Sequence, residues 1–397
     1  MKRRYYTGPD VTKALNIEEL RQRAHKYLPG FALEYLEGGA EDEWSLAWNQ
    51  EIFKTLRFRP RYLVDTGARS IRTTLFGVER PTPLIVAPTG HNGLIRRNGD
   101  TLLARAAGAM NIPYTLSTLS NTRLERLAKN VSGPLWMQLY VFKDFDLTRD
   151  ILKRADEAGY EALVFTIDTN IHGWREWDRR QFRAPGQLTR RGALEALRHP
   201  QWLLDVMIPH GAPRLENVVD FFPPDARDTR GAFVHVPGLF TPTITWKSVE
   251  SLRELWPRKL LLKGVLSVDD AQLAADHGCD GIVVSNHGAR HMDSCISPMQ
   301  VLPEIVATVG NRMTVIIDGG FRRGADVVKA IALGADAVMV GRAALYGLGA
   351  GGEAGVCQAL TLLQNEIHRA LGQLGCNSLS ELGPEYLMPD RIRMPAQ

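Results

Sequence analysis

The run Ser285-Asn286-His287-Gly288-Ala289-Arg290-His291-Met292-Asp293 sets an imidazole just past a short apolar stretch and a guanidinium three residues further on. A histidine can take up a proton near neutral pH, and an arginine can hold a carboxylate through two parallel bonds. The same run offers His287, His291 and Asp293 as metal ligands, a rival reading, and a structural loop histidine is the plainest one. Upstream, Thr166-Ile167-Asp168 supplies a carboxylate that could orient His287. Arg175 could give a second carboxylate contact, unless the arginines and aspartates of that stretch only pair with each other. Lys263 ends an almost wholly apolar run, where an ammonium is costly unless it meets an anion or its head reaches solvent. Gly319, Gly320 and Gly341 come with Arg322 and Arg342. Backbone N–H groups exposed by glycine, guanidinium forks and a helix start suit a phosphate, although glycines with surface arginines also make ordinary tight turns. Tyr35, in EYLEGGAEDE, could close such a pocket from above.

These groups share a context. Short apolar runs at residues 83–87, 113–116, 135–140, 162–168, 260–263, 281–285, 314–318 and 337–341 read as eight strands, most of them separated by one helix-sized segment. Alternating strands and helices call for a parallel sheet with right-handed crossovers, and eight units favour a closed (β/α)8 TIM barrel, of class α/β. In such barrels the site lies at the carboxyl ends of the strands. Nearly every run does end in polar groups: Pro88-Thr89-Gly90, Ser117, Gln138 with Tyr140, Thr166 with Asp168, Lys263, Ser285, Asp318 and Gly341-Arg342. Residues 1–80 read as a helical cap over one mouth, 81–385 as the barrel and 386–397 as a tail. An amphipathic helix is expected from Val356 onward. Between residues 168 and 260 the spacing exceeds one crossover, and residues 184–245 form a long insertion after strand 4, expected to be a loop serving as a lid, a partner contact or a disordered stretch. Within it, RRGALEALRHPQWLLDVMIP mixes basic and apolar groups in a way that suits a membrane surface.

Composition narrows the rest. With 48 Lys+Arg against 44 Asp+Glu, a formal charge of +4, 44% hydrophobic and 23% charged residues, the 397-residue chain is neither a polyanion-binding tail protein nor disordered. Four cysteines, none in a CxxC pair, indicate neither a disulfide framework nor a zinc knuckle. No signal peptide or spanning helix is evident, so the expected location is cytoplasmic, with peripheral contact at the inner membrane face open. Gly347-x-Gly349-x-x-Gly352 matches the dinucleotide fingerprint but opens no βαβ unit and is not read as one. Nucleic acid is not an expected partner.

SNHGARHMD and DGGFRRGADVVKAIALGADAVMVGRA, with EYLEGGAEDE, APTGHNG, LWMQLYV, LKGVLS and CISPM, identify a resemblance to the FMN-dependent 2-hydroxy acid dehydrogenases and oxidases over about residues 24–387. Within that family the chain looks most similar to the members that oxidise (S)-mandelate, then to those that oxidise lactate. The resemblance implies FMN across the barrel mouth, its phosphate on Gly320, Arg322, Gly341 and Arg342. The ring and ribityl chain would meet Pro88, Thr89, Gly90, Ser117, Gln138, Thr166, Lys263, Ser285 and Asp318. It implies a catalytic set of His287 as base, Asp168, Tyr140 and Lys263, the lysine offsetting negative charge that develops near flavin N1. Substrate contacts would come from Tyr35, Tyr140, Arg175, Arg290 and His287. Electrons would pass to flavin N5 and on to a quinone or oxygen, in a homotetramer, with the insertion as the membrane-associating region. Three departures stand out. Ala289 replaces a usual glycine, costing about 1 kcal/mol or more if φ there is positive. His291 and Met292 replace Gln and Leu. Gly90 stands where many oxidases carry Ala, which implies dehydrogenase-like behaviour. The rival of a different class is a metal-dependent barrel hydrolase; a flavin-storing barrel without catalysis is a third reading.

Overall fold

A computed structural model describes residues 4–171, 173–184, 186–208 and 211–389. Its centre is a closed barrel of eight parallel strands. They are β1 (Leu84–Val86), β2 (Tyr114–Leu116), β3 (Leu135–Leu139), β4 (Ala162–Thr166), β5 (Lys259–Val265), β6 (Gly281–Val284), β7 (Thr314–Ile317) and β8 (Ala337–Val340). All eight expected runs are strands, each slightly adjusted at its ends. Parallel barrel strands are buried on both faces, which is why they read as unbroken apolar runs and not as alternating ones.

Two faces are nevertheless distinct. Leu84, Val86, Met137, Leu163, Leu262, Ile282, Ile317 and Val338 point outward into the layer between barrel and helices. Ile85, Trp136, Val164, Leu261, Val283, Ile316 and Met339 fill the interior. Because side chains alternate along a strand, two residues further on the interior column continues as Gln138, Thr166, Lys263, Ser285 and Asp318. The parity that packs the apolar plug thus delivers the polar groups to its upper rim. Each is buried.

The segment 1–80 is not wholly helical. After helices at Ile17–Tyr27, Gly30–Glu37 and Trp44–Glu51 come a strand, Leu56–Phe58, and a hairpin, Thr73–Leu75 with Val78–Arg80. The hairpin turns through Phe76 (φ 52°) and Gly77 (φ 80°), the doubly left-handed geometry that matches strand twist. Leu75 and Phe76 pack on the interior cluster, Phe76 lying 6.0 Å from Trp136 between ring centroids. This hairpin corks the amino-terminal mouth, whereas the helix Gly30–Glu37 lies over the opposite one, so the segment serves both ends. Leu387–Pro389 is a strand paired with Leu56–Phe58, not a free tail; residues 390–397 lie outside the described ones.

The insertion is built, not a bare loop. It holds a short helix at Arg190–Ala196 and a helix at Thr229–Leu239, and it opens on a hairpin of Phe182–Ala184 with Gln187–Leu188 that follows a short helix, Glu176–Arg180. Trp202 anchors it: buried, it donates to the Leu94 carbonyl at 2.8 Å and meets the Phe31 ring edge-on at 5.4 Å. The glycines after β8 serve packing. The helical run Arg342–Leu374 breaks at Gly351 and Gly352, and a Cβ on Gly347 or Gly355 would fall 2.4 or 2.0 Å from the other's carbonyl oxygen.

Candidate active site

A cavity of about 770 Å³ opens at the carboxyl ends of the strands. Of the site residues expected from the sequence, all but Asp168 and Ser285 line it. Those two stand one layer behind, each bonded to a residue that does.

Lys263 is buried, with its ammonium 2.9 Å from Asp318 Oδ2 and donating to Ser285 Oγ at 2.9 Å. Its head does not reach solvent. An ammonium has three protons, and those bonds use two, leaving one for a group in the cavity. Asp318 Oδ1 is buried and has no partner of its own. Beside them Ser117 Oγ donates to Gln138 Oε1 at 3.1 Å and Gln138 Nε2 to Thr166 Oγ1 at 3.0 Å. A polar ladder therefore crosses the rim.

His287 has φ 56° and lines the cavity, and its Nδ1 lies 2.8 Å from Asp168 Oδ1. With Nδ1 engaged, Nε2 is the nitrogen left to take a proton from a ligand. Burial would raise the Asp168 pKa, but the charge and hydrogen bond of His287, with help from Lys263, hold it down at about 2. The stabilisation this carries is complete above the ordinary aspartate value of ~3.9 and is lost as pH falls toward 2. Room for the carboxyl comes from Gly264, at a bulge in β5, with φ +107°; a Cβ there would lie 2.6 Å from Asp168 Cγ. Gly264→Ala is therefore expected to displace Asp168 from His287 and lower kcat by about tenfold or more, with FMN content unchanged. Steady-state assay of the flavin-replete variant checks this, and an unchanged kcat would show that the Asp168 placement is immaterial.

The remaining cations converge. Arg342 donates to the carbonyls of Leu36, Gly38 and Gly288 at 2.9–3.1 Å, and Arg290 to that of Gly38 at 2.9 Å while lying over the Tyr35 ring. Burial, together with mutual repulsion among Arg290, Arg322, Arg342 and Arg175, pulls Arg290 down to about 10 and Arg342 to about 9. Among the described residues neither makes an ion pair. Six arginines and Lys263 line the cavity against Asp178 and Asp318 alone. Arg179 and Arg183 are exposed, but Lys263 is buried and Arg175, Arg290, Arg322 and Arg342 are partly buried, and that excess of positive charge calls for anionic ligands. The peptide groups at Gly319 (φ 100°) and Gly320 (φ 83°), with the helix that starts at Arg342, fit a phosphate. Arg322, stacked over Tyr346, lines the same end. These groups and the polar ladder fit FMN.

Arg175 does pair with Asp178, at 3.2 Å, and both face the cavity. Tyr35 donates to the Gly90 carbonyl at 3.3 Å, and Tyr140 packs edge-on against Phe240 at 5.2 Å. The rival metal triad does not assemble: Asp293 instead accepts from the backbone amides of Trp44 and Ser45 at 3.2 and 2.7 Å. Among the described residues no three histidine, cysteine or acidic side chains are grouped for a metal.

Ala289 does have positive φ, 61°, the third such residue in a row after His287 and Gly288. Its amide donates to the Asn286 carbonyl at 2.9 Å and its carbonyl accepts from Ala40 at 2.9 Å. The loop keeps its geometry around the strained alanine. Sequence reasoning missed several cavity residues: His91, Asp178, and the apolar wall of Leu119, Leu215, Ala232, Val236 and Phe240. Only Asp178 carried a signal, its three-residue spacing from Arg175.

The model of the FMN-dependent dehydrogenase family matches residues 24–389. (S)-mandelate dehydrogenase of Pseudomonas putida is 42% identical over 378 residues, covering 95% of this chain and 94% of that protein. L-lactate dehydrogenase of Caulobacter sp. (strain K31) is 40% identical over 372 residues, covering 93% and 97%. The crystal structure of the monotopic membrane protein (S)-mandelate dehydrogenase superposes with a TM-score of 0.91 at 42% identity, covering 95% of this chain and 100% of that one. Matched along nearly its whole length, with a cation-lined barrel mouth suited to a flavin phosphate, the chain belongs to the FMN-dependent 2-hydroxy acid dehydrogenases.

Proposed function

We propose that the chain oxidises an (S)-2-hydroxy acid with an aromatic side chain, (S)-mandelate or a near relative, to the 2-keto acid. The observation that carries this reading is the mixed lining of the cavity, which combines the polar Arg175, Arg290 and Tyr35 with the apolar Leu119, Leu215, Ala232, Val236 and Phe240. A carboxylate suits the first and a phenyl ring the second; a methyl group would leave much of the wall unfilled.

FMN, when bound, supplies the two-electron acceptor. Gly320, Arg322, Gly341 and Arg342 would hold its phosphate, and Pro88, Thr89, Gly90, Ser117, Gln138, Thr166, Lys263, Ser285 and Asp318 would surround the remainder. Arg175 and Arg290 orient the substrate carboxylate, with hydrogen bonds from Tyr35 and Tyr140. His287 Nε2 takes a proton from the substrate, and the imidazolium so formed is held by Asp168. The Lys263 ammonium offsets negative charge that builds up next to it.

Anaerobic bleaching of the bound flavin across a panel of 2-hydroxy acids tests this. Mandelate is expected to exceed lactate in the second-order rate constant by roughly 10- to 200-fold, the range that differential burial of apolar groups supplies. Equal rates would overturn the aromatic assignment. Re-oxidation is expected to be faster with a quinone than with oxygen.

No helix among the described residues is long and apolar enough to cross a membrane. Exposed Leu194, Leu197, Leu204 and Ile208 nonetheless share the insertion with exposed Arg190, Arg191 and Arg198. With the monotopic relative, this supports a peripheral membrane seat for the insertion.

A further inference from the structure

We propose that His291 is a positioning residue with two separable duties, its ring fixing the orientation of His287 and its Nδ1 fixing the loop that carries Arg175. The proposal rests on the 2-hydroxy acid reading above and deepens it.

The geometry has three parts. First, the rings of His287 and His291 meet edge to face, with centroids 4.3 Å apart and planes at 79°. The hydrogen bond from His287 Nδ1 to Asp168 Oδ1, at 2.8 Å, holds one edge of the imidazole and leaves the face of the ring to be bounded by its neighbours. A second ring set nearly at right angles supplies that bound and keeps Nε2 aimed into the cavity. Second, His291 Nδ1 accepts from the Gly173 amide at 3.2 Å. Third, Gly173 is pressed against the same segment, since a Cβ on it would fall 2.2 Å from the Arg290 carbonyl oxygen and 2.5 Å from His291 Cα. The chain leading to Arg175 is thereby docked on the chain bearing Arg290, and the two expected carboxylate anchors are held at a fixed separation.

His291 can do this because it stays neutral. Burial, then repulsion from His287, Arg175 and Arg290, brings its pKa to about 2, against an opposing pull from Asp168. A neutral ring with Nδ1 as acceptor carries its proton on Nε2 and adds no charge beside the base.

Two variants divide the duties. His291→Phe keeps a ring against His287 but has no acceptor for Gly173. His291→Asn keeps an acceptor near the Nδ1 position but has no ring. Two quantities are read on FMN-replete protein: the limiting rate of anaerobic flavin reduction at saturating mandelate, and the affinity for phenylacetate, an unreactive carboxylate, from its perturbation of the flavin spectrum.

The expected result is a crossed pattern. His291→Phe weakens phenylacetate by about tenfold, the worth of one hydrogen bond of about 1.4 kcal/mol, and holds the limiting rate within about twofold. His291→Asn binds phenylacetate as the parent does and loses about tenfold in rate through misaimed Nε2. Both variants matching the parent in both quantities, or both losing the two quantities together, would overturn the proposal. Failure of the underlying reading looks different: the unsubstituted protein would itself resist reduction by every 2-hydroxy acid.

Discussion

Replacing His287 with alanine is expected to leave the protein yellow and to slow anaerobic reduction of its flavin by at least 10²–10⁴-fold, the range for loss of a positioned general base. The two halves of that outcome have separate structural causes. The imidazole lines the cavity with Nε2 left to take a proton, and Asp168 at 2.8 Å from its Nδ1 stands ready to hold the resulting cation. The groups suited to the phosphate, around Arg322, Arg342 and Gly320, neither contain it nor lean on its side chain. Flavin content by absorbance and stopped-flow reduction separate the two quantities, and a variant reduced within tenfold of the parent rate would remove His287 from the role of base.

Lys263→Met is expected to have the other large effect, on both flavin and fold. The ammonium is 4% exposed and its partner Asp318 10% exposed, at 2.9 Å. Taking away one member of a buried pair leaves the other charge uncompensated, at a cost of about 3–5 kcal/mol. Asp318 would be left worse than most, since its Oδ1 already lacks a partner. The expected outcome is a lower thermal midpoint, weak flavin retention, and reduction slowed by about 10² or more in whatever flavin remains. Lys263→Met with Asp318→Asn removes the orphaned charge, so it should recover most of the thermal midpoint without recovering reduction. Full activity in the single variant would mean that the ammonium does not face the developing charge. A double variant that regains reduction would assign the whole effect to folding.

The barrel and most of its rim were legible because one rule governs both. Eight apolar runs, each ending in polar groups at the same phase, predict strands whose interior parity continues from Trp136 to Gln138, from Leu261 to Lys263 and from Ile316 to Asp318, as the structure has it. What stayed hidden depends on distant partners. Leu56–Phe58 is a strand because Leu387–Pro389 lies beside it, and nothing near residue 56 announces that. The Thr73–Arg80 hairpin turns on Phe76-Gly77, without the Asn-Gly or Asp-Gly pair that usually marks such a turn. The apolar wall is gathered from β-end loops and an insertion with no repeating pattern, so Leu119, Leu215 and Val236 meet only in three dimensions. His291 sits four residues from His287, but in a left-handed loop where helical spacing has no meaning.

The hairpin at the base has a last consequence. With Leu75, Phe76 and Trp136 packed in the apolar cluster at that end, the barrel axis is no through-passage. An acid reaching the cavity and a keto product leaving it are turned toward the same mouth, and so they are obliged to take turns.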